Sequence, residues 1–270
     1  MEDTPFTTAK RGQAAAFITG TGIATIAGLI GLGGSEYRLP FLIRLFRFSA
    51  LEAVIVNETM SLFVVATALP FRAHSIPLEA VAAQWPVILN LLGGSLVGAW
   101  IGAAWATRLR SQVFSRIIAV LLAAIAAILL SHGVGHGGHP LFGGYVLIAV
   151  GLAAGFGIGI VAALLGVAGG ELLVPTLILL FGIDVKLAGS LSLAVSIPTM
   201  AVGFGRYSRD RTFPVLARNG HFVVAMVVGS VVGSFIGARL LGIVPISVMV
   251  PILSLVLLIS AVSLWLQRRT

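Results

Sequence analysis

The chain has 270 residues, 58% of them hydrophobic and 10% charged, with a formal net charge of +8 and no cysteine. Mean hydropathy is +1.09, whereas a soluble globule is about a quarter charged, so the composition excludes a soluble domain and points to a polytopic all-α membrane protein. Disulfides, thiolate catalysis and cysteine-ligated metals are excluded as well.

The apolar segments read 13–31, 37–48, 50–71, 80–106, 113–131, 141–165, 172–183, 187–205, 220–238 and 246–266. Glu2 and Asp3 precede the first, which lacks a small-residue cleavage site and reads as a membrane segment, not a signal peptide. Segments 37–48 and 172–183 are too short to cross a bilayer, which takes roughly 20 residues. Each follows a glycine-rich break: Gly31-Leu32-Gly33-Gly34-Ser35-Glu36-Tyr37-Arg38-Leu39-Pro40, then Gly166-Val167-Ala168-Gly169-Gly170-Glu171-Leu172-Leu173-Val174-Pro175.

These motifs are 135 residues apart, and so are Ala53 and Ala188, Ser61 and Ser196, and the glycine series Gly94/Gly98/Gly102 and Gly229/Gly233/Gly237. A constant offset without a gap marks two equal halves with the same five segments. The expected division is a first repeat, 1–131, a Gly/His-rich external connector, 132–140, and a second repeat, 141–270. Glycines at four-residue spacing read as close helix-packing faces.

Basic residues orient the halves. If every long segment crosses and the short ones do not, nine lie inside and eight outside, which is no bias. If each glycine break is the tip of a hairpin that enters and leaves on one side, the halves become inverted. Lys10, Arg11, Arg44, Arg47, Arg108, Arg110, Arg116, Arg206, Arg209, Arg211, Arg218, Arg268 and Arg269 then fall inside, against Arg72, Lys186 and Arg239 outside. That is the positive-inside pattern of a cytoplasmic membrane protein with both termini in the cytoplasm. The expected architecture is two inverted repeats, each a re-entrant-like helical hairpin followed by three transmembrane helices.

Opposed hairpins bring their tips together near the bilayer centre. There Gly33, Gly34, Gly169 and Gly170 leave backbone outside any helix, and the short helices point their N-termini, natural anion sites, at the same place. Pro40 and Pro175 are expected in the first turn. Glu36 and Glu171 either stabilise those N-termini, take up a proton as substrate moves, or coordinate a cation. Arg38 and Glu58 occur only in the first half, their counterparts being Leu173 and Leu193. Arg38 either holds an oxyanion or pairs with Glu36 or Glu58. Asn57 and Ser61, like Ser192 and Ser196, share a helical face suited to lining a polar site or to bonding between helices. Ser35 completes the first tip. His132, His136 and His139 read as part of a solvated connector, and the arginines of 206–218 as a membrane anchor, not a nucleic-acid patch. No cofactor motif is present.

At these glycine–proline motifs the chain resembles the TauE/SafE sulfite exporter family, also called the 4-toluene sulfonate uptake permease family. The second half fits best, with Gly166–Pro175 and Ala188-Gly189-Ser190-Leu191; the first departs at Ser35 and at Ala53–Asn57. The resemblance implies transport of sulfite, organosulfonates or related small anions across the cytoplasmic membrane. The combined expectation is a secondary transporter, not an enzyme, working by alternating access on a small anion with protons as the coupling ion. The rival is an ion channel that uses the same tips as a filter. Arg38 makes the first half the expected determinant of substrate choice.

Overall fold

The computed structural model describes residues 10–48, 50–105, 111–132, 138–165, 167–207 and 219–266, and all regular structure among them is helical. The helices are α1 (Lys10–Ile30), α2 (Ser35–Arg44), α3 (Ala50–Arg72), α4 (Leu78–Ala83), α5 (Trp85–Trp105), α6 (Ser111–His132), α7 (Gly144–Leu165), α8 (Gly170–Phe181), α9 (Val185–Tyr207), α10 (Gly220–Ile243) and α11 (Ile246–Leu266). They match the apolar segments with one difference: segment 80–106 is divided at Gln84 into α4 and α5. Pro86 sits in the first turn of α5, where a missing N–H has no helical acceptor to lose.

Helices α1, α5, α7, α9, α10 and α11 are long and apolar enough to cross a membrane, and α3 and α6 have 23 and 22 residues. With 10 and 12 residues, α2 and α8 rise only about 15 and 18 Å at 1.5 Å per residue, about half a hydrocarbon core. The chain is a multi-pass membrane protein.

The halves pack crosswise. The most extensive helix contacts join α1 to α10 and α5 to α7, each pair taking one helix from either half. Glycine makes this possible. A Cβ on Gly229, Gly233 or Gly237 would run into the carbonyls of Phe17, Thr21 and Thr25 respectively. On α5 the same holds for Gly94, Gly98 and Gly102 against Leu152, Phe156 and Ile160, and α7 answers with Gly155 and Gly159 against Leu91 and Ser95. In both pairs the register advances together, so the paired helices run parallel. The glycine series are packing faces as expected, and they serve contacts between the halves.

Helices α3 and α9 run in opposite directions. Arg72, the last residue of α3, reaches Lys186 and Ser190 at the start of α9, while Gly203 late in α9 faces Glu58 early in α3. Similarly, the guanidinium of Arg116, near the start of α6, lies 5.7 Å from the ring centroid of Trp265, near the end of α11.

The far ends of both short helices make contacts of their own. Just before α7, the N–H groups of Gly138 and Leu141 donate to the carbonyls of Gly182 and Leu180 at the end of α8 (2.8 and 3.1 Å). In the first half, Leu42, Phe46 and Phe48 at the end of α2 share an apolar cluster with Ala16 near the start of α1 and with Phe222 of α10. The Phe46 and Phe222 rings meet edge to face at 4.7 Å.

Arg72, Lys186 and Arg239, expected in external loops, gather at one end of the molecule, yet Arg72 is wholly buried. Its Nε donates to Ser190 Oγ (3.0 Å), Nη1 to the carbonyls of Gly28 and Leu29 (2.7 and 2.8 Å) and Nη2 to the carbonyl of Lys186 (2.7 Å). Gly28 and Leu29 lie in the last turn of α1, where carbonyls lack helical donors and a cation is favoured. Lys186 Nζ in turn donates to the carbonyl of Leu241 (2.9 Å), and Arg239 lies over the Phe235 ring.

Candidate functional site

Both hairpin tips use the same backbone device. Gly34 (φ +66°) and Gly169 (φ +72°), equivalent under the offset, cap α2 and α8 in the left-handed conformation that glycine adopts without a Cβ penalty. Glu36 and Glu171 therefore fall in the first turn, as expected. The prolines do not: Pro175 is the sixth residue of α8, in the second turn, where its ring leaves the Glu171 carbonyl without a donor four residues on.

The tips touch. The Ala168 N–H donates to Ser35 Oγ (3.0 Å), a Cβ on Gly33 would collide with the Ala168 methyl, and one on Gly170 would come within 3.2 Å of Leu32 Cα. Serines of α9 satisfy the broken backbone on either side: Ser192 Oγ donates to the carbonyl of Gly31 (3.0 Å) and Ser196 Oγ to that of Ala168 (2.8 Å). Such bonds are what make non-helical backbone tolerable at membrane depth.

From the first half comes the charge. Arg38 is fully buried, with Nη2 donating to the Gly33 carbonyl (3.1 Å) and Nη1 3.5 Å from Ser61 Oγ. Ser61 donates to the carbonyl of Asn57 on its own helix (2.7 Å), so its hydroxyl is turned along α3, and Asn57 is buried beside it. The structure thus brings together Gly33, Ser35, Arg38, Ser61, Gly170, Ser192 and Ser196, with Gly34 and Gly169 shaping the tips. Where the first half has Arg38 and Glu58, the second has Leu173 and Leu193, both buried in apolar clusters.

The carboxylates are dispersed. Glu58 (4% exposed) lines a narrow cleft beside the second tip, with Ala99, Val167, Thr199 and Gly203; its free space of about 10 Å³ is room for one water at most. Glu171 turns away from the tips toward α11, where Ser260 Oγ lies 2.6 Å from its Oε1. Ser260 also contacts the Tyr37 hydroxyl of α2 (2.8 Å), and Tyr37 donates to the Val256 carbonyl (2.6 Å). Sequence reasoning passed over Tyr37, Ser260 and Arg72. A phenol set in an apolar run beside Glu36 was the available signal, since a buried tyrosine hydroxyl needs a partner.

The Glu36 side chain lies outside the described residues, as do those of His132 and His136, while His139 is exposed. Among the described residues, no group of three or more His, Asp or Glu side chains is placed to hold a metal.

A family model described as sulfite exporter TauE/SafE matches residues 2–129. No curated protein and no solved structure matches significantly. The matched span holds the whole first hairpin with Arg38, the polar face of Asn57, Glu58 and Ser61, and the Gly94–Gly102 stripe. The resemblance carried by Gly31–Pro40 thus extends over residues 2–129, nearly half the chain, which are similar to the sulfite exporter TauE/SafE family.

Proposed function

We propose that the protein is a secondary transporter of a small anion, sulfite or an organosulfonate, working by alternating access and coupled to protons. The observation that carries this reading is the contact of the two glycine tips beside the buried guanidinium of Arg38. Two inverted repeats, 1–131 and 141–270 joined by the connector 132–140, account for the opposite run of α3 and α9 and of α6 and α11. The charge distribution favours a cytoplasmic-membrane protein with both termini in the cytoplasm.

The chemistry of an oxyanion site is present in latent form. Parting the tips frees the Ala168 N–H and the Ser35 hydroxyl, beside two helix N-termini whose amides and dipoles favour negative charge. Arg38 supplies a planar fork matched to a sulfonyl group. Glu36, Glu171 and Glu58 would repel an anion while ionised, so proton exchange at this set accompanies anion binding or release; that is the coupling. The family's description favours transport over catalysis.

The test is sulfite, methanesulfonate and acetate flux in proteoliposomes with an imposed pH gradient. Saturable sulfite or sulfonate flux that follows the gradient supports the reading. Single-channel currents in planar bilayers would replace it with the channel.

A further inference from the structure

Tyr37, Ser260 and Glu171 form an unbroken chain of short oxygen contacts across the two halves. Starting from α11, the Val256 carbonyl lies 2.6 Å from the Tyr37 hydroxyl, that hydroxyl 2.8 Å from Ser260 Oγ, and Ser260 Oγ 2.6 Å from Glu171 Oε1. Ser260 and Glu171 are 2% and 4% exposed. Each of these distances is that of an O–H···O hydrogen bond and needs one hydrogen between its oxygens.

Three contacts therefore need three hydrogens, and the carbonyl supplies none. A tyrosine hydroxyl brings one and a serine hydroxyl one. With Glu171 ionised, Tyr37 serves Val256 and Ser260 serves Glu171. The Tyr37 and Ser260 oxygens are then left 2.8 Å apart with nothing between them, an arrangement of repelling lone pairs. With Glu171 protonated the count closes: the carboxyl donates to Ser260, Ser260 to Tyr37 and Tyr37 to the Val256 carbonyl.

We infer that Glu171 carries a proton in this closed arrangement, held by Tyr37 and Ser260 as positioning residues, and that its loss breaks the Tyr37–Ser260 contact that links α2 to Glu171. The inference rests on the proton-coupled transport reading above and names the carboxyl and the joint through which coupling acts. The step balances. The Glu171 carboxyl gives its proton to water admitted as the tips part, Ser260 turns its hydrogen onto the new carboxylate, and Tyr37 keeps its own on Val256. The Tyr37–Ser260 contact has then lost its hydrogen and must open. Because Tyr37 belongs to the first hairpin and Glu171 to the second, one proton governs the link between them. Neither Tyr37 nor Ser260 is repeated: their counterparts are Leu172 and Ile125, so only Glu171 has this joint.

Other charged groups lie on the neighbouring helices: α2 carries Arg38, bound to the Gly33 carbonyl. Of the helices packed on α8, α9 contributes Lys186, which is bound to the Leu241 carbonyl. From α6 comes Arg116, stacked on Trp265, and from α7 Tyr145, which is exposed. The side chains of Glu36, His132, Arg206 and Tyr207 lie outside the described residues.

The experiment is infrared difference spectroscopy of the full chain in proteoliposomes, following the carbonyl stretch of protonated carboxyl groups against pH. Glu171→Gln, close in size and still able to donate to Ser260, should remove one titrating band. Tyr37→Phe should move that band's midpoint to lower pH by up to about tenfold in proton concentration, the value of a hydrogen bond between neutral groups. With Ser260 already replaced by alanine, Tyr37→Phe should move it no further. Survival of every titrating band in Glu171→Gln, or an unmoved midpoint in Tyr37→Phe, overturns the inference. A Glu171 band that shifts as stated while sulfite flux ignores the pH gradient supports the hydrogen-bonded chain and overturns proton-coupled transport.

Discussion

The two hairpins share a backbone and differ in what they carry. Both break at glycines, restart at a left-handed glycine cap and place a glutamate in the first turn. Apart from Thr176, whose hydroxyl is bound to the Leu172 carbonyl, α8 is otherwise apolar: Leu172, Leu173, Val174 and Leu177 are buried in the main hydrophobic cluster. α2 reaches outward with polar groups instead, Ser35 to the opposite tip, Tyr37 to α11 and Arg38 back to its own tip and to Ser61. One hairpin is an anchor and the other a hand.

That division can be broken at several points. The largest effect is expected from Arg72→Met, which removes four hydrogen bonds, two to the end of α1, the helix that leads into the first hairpin, and two to the start of α9. At about 1–3 kcal/mol for each acceptor left buried without a donor, the loss should exceed 3 kcal/mol. Amide exchange should speed up at the Leu29–Gly34 end of the first hairpin and hold steady along α8; equal acceleration in both would mean the clamp serves the whole molecule. Next, Leu173→Ala should cost about 2–5 kcal/mol as a core cavity without changing sulfite affinity. Arg38→Ala should abolish the stabilisation that sulfite gives in a thermal-shift titration. Identical outcomes at these two equivalent positions would erase the anchor-and-hand distinction.

Gly34→Ala and Gly169→Ala should each cost about 1–2 kcal/mol, the penalty of a side chain in the left-handed region, and by similar amounts in thermal unfolding. A large disparity would show that the two backbones are not held alike. Smallest is Ser35→Ala, which leaves the Ala168 N–H without its acceptor and should lower stability by about 1 kcal/mol in the same assay.

Much of this was legible in the sequence because it is local or repeated. Glycine breaks, apolar segment lengths and the 135-residue offset are visible without knowing which helix touches which. The stripes at Gly94–Gly102 and Gly229–Gly237 announced close packing, though only the fold revealed that their partners lie in the other half. The features that escaped are long-range and unrepeated. Tyr37 and Ser260 are 223 residues apart and have apolar counterparts, so a reading guided by repetition had no reason to pair them. Arg72 looked like a topogenic charge because it ends an apolar segment; burial and four acceptors came only with the convergence of α1, α3 and α9. Glu171 was placed at the right turn, but its direction depends on α11.

The crosswise pairing of α1 with α10 and α5 with α7 also bears on how the molecule is made. When synthesis has passed α6, the bilayer holds two helices whose packing flanks face lipid, because the surfaces that cover them have not yet been translated. α5 is completed by the next helix to arrive, but α1 must wait for α10, some 190 residues after its own end. On this pairing the first half stays exposed to mispairing and to membrane quality control until α10 is in place. Substitutions along Gly229–Gly237 should accordingly lower the yield of inserted protein more than those along Gly94–Gly102, although the two stripes make the same contacts in the finished structure.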